Sequence, residues 1–223
     1  GEGGKITWER ADFSPDSVFA EINDYQIEVK SPSYTIKDVT FYDYHYFDKP
    51  LQGRLEEKVL ANVKAEKASY PRFTSYASKL EIKDISKGVD YVGGFTLKGR
   101  RVFGTGVGED NAFVIFYRKD VPFLKMAAST FIIKPEQIVS LTASATFYIK
   151  DDSIYHPGLS FKFFIKNRSV NLLRDHKGVK LTPYFNSYHQ LDMDFESLNW
   201  NVDSPMVQFR NMKGGTKTDA TFV

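Results

Sequence analysis

The sequence contains no cysteine, which excludes disulfides, thiolate metal ligands and thiol catalysis. It has four histidines, His45, His156, His176 and His189. No run of about 20 apolar residues occurs, so no helical transmembrane segment is expected. Neither sign of charge dominates. The 30 basic and 28 acidic residues leave a net charge of +2, which argues against a dedicated nucleic-acid surface. Aromatic residues, by contrast, are plentiful. The 19 Phe and 13 Tyr suit strands that pack across a sheet, and 223 residues suffice to bury a substantial core.

A tetrapeptide keeps returning: aromatic or Leu, any residue, Ile or Leu, Lys. It reads Tyr34-Thr35-Ile36-Lys37, Leu80-Glu81-Ile82-Lys83, Phe95-Thr96-Leu97-Lys98, Phe131-Ile132-Ile133-Lys134, Phe147-Tyr148-Ile149-Lys150 and Phe163-Phe164-Ile165-Lys166. The last three start 16 residues apart, and a short fixed period points to a fold built by repetition. Each copy alternates apolar and variable positions, the signature of a half-buried strand. The residue after Lys is Asp38, Asp84, Gly99, Pro135, Asp151 or Asn167, all turn formers. A second apolar residue follows five positions after the Ile or Leu at Phe41, Val102, Ile138, Ile154 and Val170; the Leu80 copy has Lys87 instead. Five is odd, and an odd step within one strand flips the side chain to the other face. The chain must therefore bend between the two apolar residues. Weaker copies begin at Val18, Phe113 and Val179.

These observations predict an all-β fold: a repeat-built extended sheet, either a curled antiparallel meander or a β-solenoid, in one domain over residues 1–223. The lysines favour the meander slightly. In a solenoid Lys134, Lys150 and Lys166 would stack at about 4.8 Å and repel by roughly 1 kcal/mol. Strands are expected at Lys5–Glu9, Val18–Ile22, Tyr25–Val29 and Tyr34–Phe47. One amphipathic helix is expected near residues 51–67, because Leu51, Leu55, Val59, Leu60 and Val63 recur at helical spacing among charged residues. It would cover a sheet end. The start at Gly1 and the closing Asp219-Ala220-Thr221-Phe222-Val223, which echoes Asp110-Asn111-Ala112-Phe113-Val114, lead us to expect a fragment of a longer repeat protein. The Ile column should be core, so Ile149→Asp is expected to unfold its unit.

Chemistry is harder to find. Gly104-Thr105-Gly106-Val107-Gly108 runs into Glu109 and Asp110 and then an apolar strand. A phosphate cradle needs a helix N-terminus and no carboxylates, so this reads as a hairpin loop. His189, Asp192 and Asp194 lack metal-ligand spacing. Asp151, Asp152, Ser153 and His156 are close in sequence, but the acids occupy a turn, and a triad is assembled in space. No pair among the 28 acids is singled out for glycoside hydrolysis. No catalytic, metal or cofactor site is assigned.

The segment Phe41-Tyr42-Asp43-Tyr44-His45-Tyr46-Phe47 is the most unusual locally. As one strand it lines Tyr42, Tyr44 and Tyr46 on one face, and these are the candidate ligand-binding residues, for a sugar or a protein partner. The alternative is aromatic packing against a neighbouring element. Trp8 and Trp200 are expected in the core or at its edge. The function expected is a non-catalytic structural or interaction module of a larger cell-envelope or secreted repeat protein. Its partners would be neighbouring repeats, a glycan, a lipid or another envelope protein. Alternatives are a carbohydrate-binding module and a carbohydrate-active β-fold enzyme.

Overall fold

The computed structural model describes residues 2–25, 30–58, 63–108, 110–174, 182–211 and 217–221. Among these residues every strand pair is antiparallel. The chain opens with β1 (Glu2–Thr7), β2 (Val18–Asp24), β3 (Ser33–Asp43), β4 (Leu51–Lys58) and β5 (Arg72–Ser75). It then alternates between two branches of hydrogen-bonded strands. One branch takes β8 (Thr96–Lys98), β9 (Arg101–Thr105), β12 (Thr130–Lys134), β15 (Ser169–Leu173), β18 (Ser197–Asn201), β19 (Met206–Arg210) and β20 (Lys217–Thr221), beginning where β5 pairs with β8. The other takes β6 (Leu80–Ser86), β7 (Val89–Gly93), β10 (Ala112–Arg118), β11 (Val121–Ala128), β16 (Tyr184–Asn186) and β17 (Leu191–Met193).

The branches join in β13 (Gln137–Ile149) and β14 (Asp152–Phe164). The first half of β13 pairs with β12 and its second half with β11. Both strands bend where their register slips, between Ser140 and Ala145. The branches then face each other as two layers. Phe116 of β10 meets Phe163 of β14 edge-on at 5.0 Å. Phe123 of β11 meets Trp200 of β18 at 5.1 Å. Tyr91 of β7 lies over Gly104 of β9, where an added Cβ would come within 2.4 Å of the tyrosine oxygen. At the hairpin turns two arginines reach across. Arg118 donates to the carbonyl of Val202 at 2.9 Å, and Arg168 donates to the carbonyl of Lys87 at 2.7 Å.

The core is legible as a single cross-strand row. Successive register partners are Ile36, Leu55, Phe73, Leu97, Val102, Ile133, Ile138, Phe163, Val170, Trp200 and Val207. All eleven are buried. The odd step predicted from the tetrapeptides is absorbed by two-residue turns. Leu97 opposes Val102 around Gly99, whose φ of 58° suits the turn. Ile133 opposes Ile138 around Pro135 and Glu136. In β3 the same step is taken by a bulge at Ile36–Val39; β6, whose fifth position is Lys87, also shifts register between Ile82 and Ser86.

Three expectations change. First, β4 occupies residues 51–58 in place of the predicted helix. Gly53, Leu55 and Glu57 are buried while Gln52 and Arg54 are exposed. Leu51 and Leu55 are four apart, which fits one helix face and equally one strand face, and Gly53 between them disfavours a helix. Glu57 is held inside by Arg10 at 3.0 Å. Among the described residues that follow, the helical element is a short 3-10 turn, Ala65–Lys67; Val59 and Leu60 lie outside the described residues. Second, the parallel coil has no ladder among the described residues. Third, Ile149 is not core. The turn in that copy comes one residue early, at Lys150 and Asp151, so Ile149 ends its strand at the margin and is half-exposed. The expected strands over 26–29, 179–181 and 222–223 lie outside the described residues.

Ile133→Asp is therefore expected to unfold the protein or cost several kcal/mol, because it buries an unpaired carboxylate. Ile149→Asp should cost less than half as much in a urea titration, a ratio that equal losses at the two sites would contradict.

Candidate functional site

The two-residue turns that bury the Ile133 row also fix what faces outward. One position along, the register partners are Phe103, Ile132, Val139, Lys162, Asn171 and Asn199. None of these six is fully buried. Beside this row, the bend of β13 and β14 leaves an open concavity of about 820 Å³, within the 300–1,000 Å³ typical of small-molecule sites. Its apolar wall is Ile132, Val139, Leu141, Phe164 and Leu173, with Ser, Thr, Gln and Asn side chains between. Leu141 is 86% exposed, which is unusual for a leucine within a strand. The lining contains one charged residue, Lys162, and no carboxylate. Sequence reasoning missed this site. Its signal was Leu141 itself, an apolar residue whose strand neighbours Ser140 and Thr142 are polar.

The predicted tyrosines do not form a single ladder. β3 ends at Asp43, and the chain turns as Phe47 N–H donates to the Asp43 carbonyl at 3.0 Å. Tyr42 stacks on Phe19 at 4.6 Å and donates to Glu21 Oε2 at 3.1 Å. Tyr44, 59% exposed, lies 6.1 Å from Tyr42. Tyr46 faces the other way, against Phe95 at 6.2 Å, and burial pushes its hydroxyl up to about 12. The outer face thus carries Phe19, Tyr42 and Tyr44, with Lys5 Nζ 4.1 Å above the Phe19 ring.

Beneath this patch Asp43 is buried. Its Oδ1 accepts the His45 N–H at 3.1 Å and lies 3.0 Å from His45 Nδ1, while Oδ2 has no partner. Burial raises the Asp43 pKa, and the His45 contacts only partly offset that. Trp8 and Trp200 are both core residues. The glycine-rich segment forms a tight loop, in which Val107 and Asp110 exchange backbone hydrogen bonds at 2.9 Å. Asp152, Ser153 and His156 do not converge. Asp152 accepts from the Ser187 hydroxyl at 2.9 Å, whereas His156 lies in the inward row Ile82, Tyr91, Val114, Met126, Ala145, His156. Among the described residues no three His, Asp or Glu side chains are placed to hold a metal.

His156 is fully buried. Its Nδ1 accepts the Gly158 N–H at 3.0 Å, so the proton sits on Nε2, 2.8 Å from the Thr182 carbonyl. Burial lowers its pKa below the usual value, helped by the nearby Arg174 charge. No family model, curated protein or solved structure matches this chain.

A histidine whose folded pKa is depressed supplies stability above its unfolded pKa and loses it as pH falls toward the folded value. The urea midpoint should accordingly begin to fall below about pH 6.5. His156→Gln should be less stable at pH 7.5 but show a shallower fall between pH 7 and 5. Parallel pH profiles for the two proteins would show that His156 is not the group responsible.

Proposed function

We propose that this chain is a non-catalytic interaction module of a larger cell-envelope or secreted protein. It engages its partner through the outward face of its sheet. The carrying observation is the position of the apolar concavity. The space between the layers is filled by buried side chains such as Phe116, Phe131, Phe161 and Phe163, so a ligand has to be met from outside. There Leu141, Ile132 and Val139 stand in the wall of a solvent-open groove. Exposed apolar surface in a concave setting is the usual mark of a recognition surface. Neighbouring repeats of the parent protein, a lipid and another envelope protein are the partner classes this reading covers.

A second reading, a carbohydrate-binding module, draws on the Phe19, Tyr42 and Tyr44 patch. Its flat rings could stack on a sugar face. Tyr46 no longer belongs to it.

A hydrophobic fluorophore such as 8-anilinonaphthalene-1-sulfonate separates the two. Saturable fluorescence enhancement by the wild-type protein, lost in Leu141→Asp with the melting temperature unchanged, is the expected result. An enhancement that survives Leu141→Asp, or none in the wild type, would remove the groove as the binding surface. Retention on a glycan array that disappears in Tyr42→Ala and Tyr44→Ala would favour the second reading.

A further inference from the structure

The outward row changes character along its length. Phe103, Ile132 and Val139 come first, then Lys162, then Asn171 and Asn199. Neighbouring strands lie about 4.8 Å apart, so the apolar stretch spans two strand gaps and the amide pair one, with the lysine between them. The groove runs over the middle of this row and brings Leu141 to its wall.

Lys162 is exposed. Its contact with a ring is loose, Nζ standing 5.6 Å from the centre of Phe164. It belongs to none of the ion pairs among the described residues. Lys83 is the one lysine in those pairs, so what marks Lys162 is its place as the single charged residue of the groove lining. A lone ammonium at the end of an apolar surface, with no carboxylate in the lining, is complementary to one negative charge on an apolar body. The amides of Asn171 and Asn199 beyond it add hydrogen-bond donors for oxygen.

Resting on the groove as the binding surface, we infer that its ligand is a single-chain anionic amphiphile. The alkyl chain lies across β12 and β13 over Ile132 and Val139, with Leu141 as a side wall. The carboxylate, phosphate or sulfate head is paired with Lys162. A neutral sugar would waste the apolar wall, and a cation would meet Lys162.

The test is displacement of 8-anilinonaphthalene-1-sulfonate by dodecanoate and by dodecanol, each below its micellar concentration. Dodecanoate should displace the dye competitively and about tenfold more tightly than dodecanol, and Lys162→Gln should erase that difference. Amide shifts in NMR should fall on β12 to β15. Equal affinities for the two probes in the wild type would overturn the anionic assignment. Dye that binds but is not displaced by dodecanoate would overturn the amphiphile while leaving the groove as a binding surface. A dye that fails to bind would overturn the groove itself. Self-association in sedimentation that is lost in Leu141→Asp would identify a second copy as the occupant and also refute the inference.

Discussion

Everything in this structure depends on keeping one line of side chains dry. From Ile36 to Val207, eleven register partners in succession point into the same interior. Side chains alternate faces along a strand, so a slip of one residue anywhere would send the next strand's share of that line into water. Each fully buried aliphatic or aromatic side chain contributes roughly 1.5–3 kcal/mol, and a slip would forfeit several at once. The turns enforce the register. A two-residue turn places its flanking residues opposite each other, which carries the odd step from Leu97 to Val102 and from Ile133 to Ile138. Where the chain runs straight on, a bulge after Ile36 takes that step.

Burial on one face fixes the other. Once Ile133, Ile138 and Phe163 point inward, Ile132, Val139 and Lys162 have to point outward, because they are their neighbours in sequence and register. The two layers close over the inward rows without room for a ligand: Phe163 meets Phe116, Trp200 meets Phe123, and Tyr91 occupies the space that Gly104 leaves. Among the described residues the strand ladders join the layers through β13 and β14, and Gly94 N–H, just after β7, donates to the Thr105 carbonyl of β9 at 2.7 Å. On the far side the arginines Arg118 and Arg168 bind carbonyls across the turns. Guanidinium groups suit this, since a turn carbonyl left without a partner at a layer edge is costly and Arg offers several donors in a fixed plane.

The strands could be read in the sequence because alternation and turn formers are local signals, whereas the antiparallel sense was favoured only slightly, by lysine repulsion, with the solenoid left open. Leu97, Ile133 and Ile36 fell where the tetrapeptides put them. Ile149 did not, because the motif records an apolar–polar order and does not record whether Lys is the last strand residue, as at Lys134, or the first turn residue, as at Lys150. The helix expected over 51–67 gave way to a strand over 51–58 for a related reason: a spacing of four is even, so Leu51 and Leu55 satisfy both periods. The tyrosine ladder assumed a strand through Phe47, and the turn after Asp43 sent Tyr46 inward. The groove was out of reach because it is made by a bend in two strands and by partners from four. Leu141 between Ser140 and Thr142 was its one local trace.

The remaining outward aromatics show how the fold treats apolar surface it cannot bury. Lys5 covers Phe19 and Lys125 covers Phe113, each at 4.1 Å from ring centre to Nζ, and Lys98 stands 5.7 Å from Phe103. An ammonium above a ring gains cation–π attraction and keeps the flat sheet from presenting bare hydrocarbon to another sheet. This device needs an aromatic face, and a leucine offers none. Leu141 thus stands 86% exposed, above even Tyr188 at 68% and Val121 at 64%. A polar residue there would cost the core nothing, since the side chain does not reach it. That freedom is why the proposed binding surface is drawn around Leu141, Ile132 and Val139 and not around the filled interior.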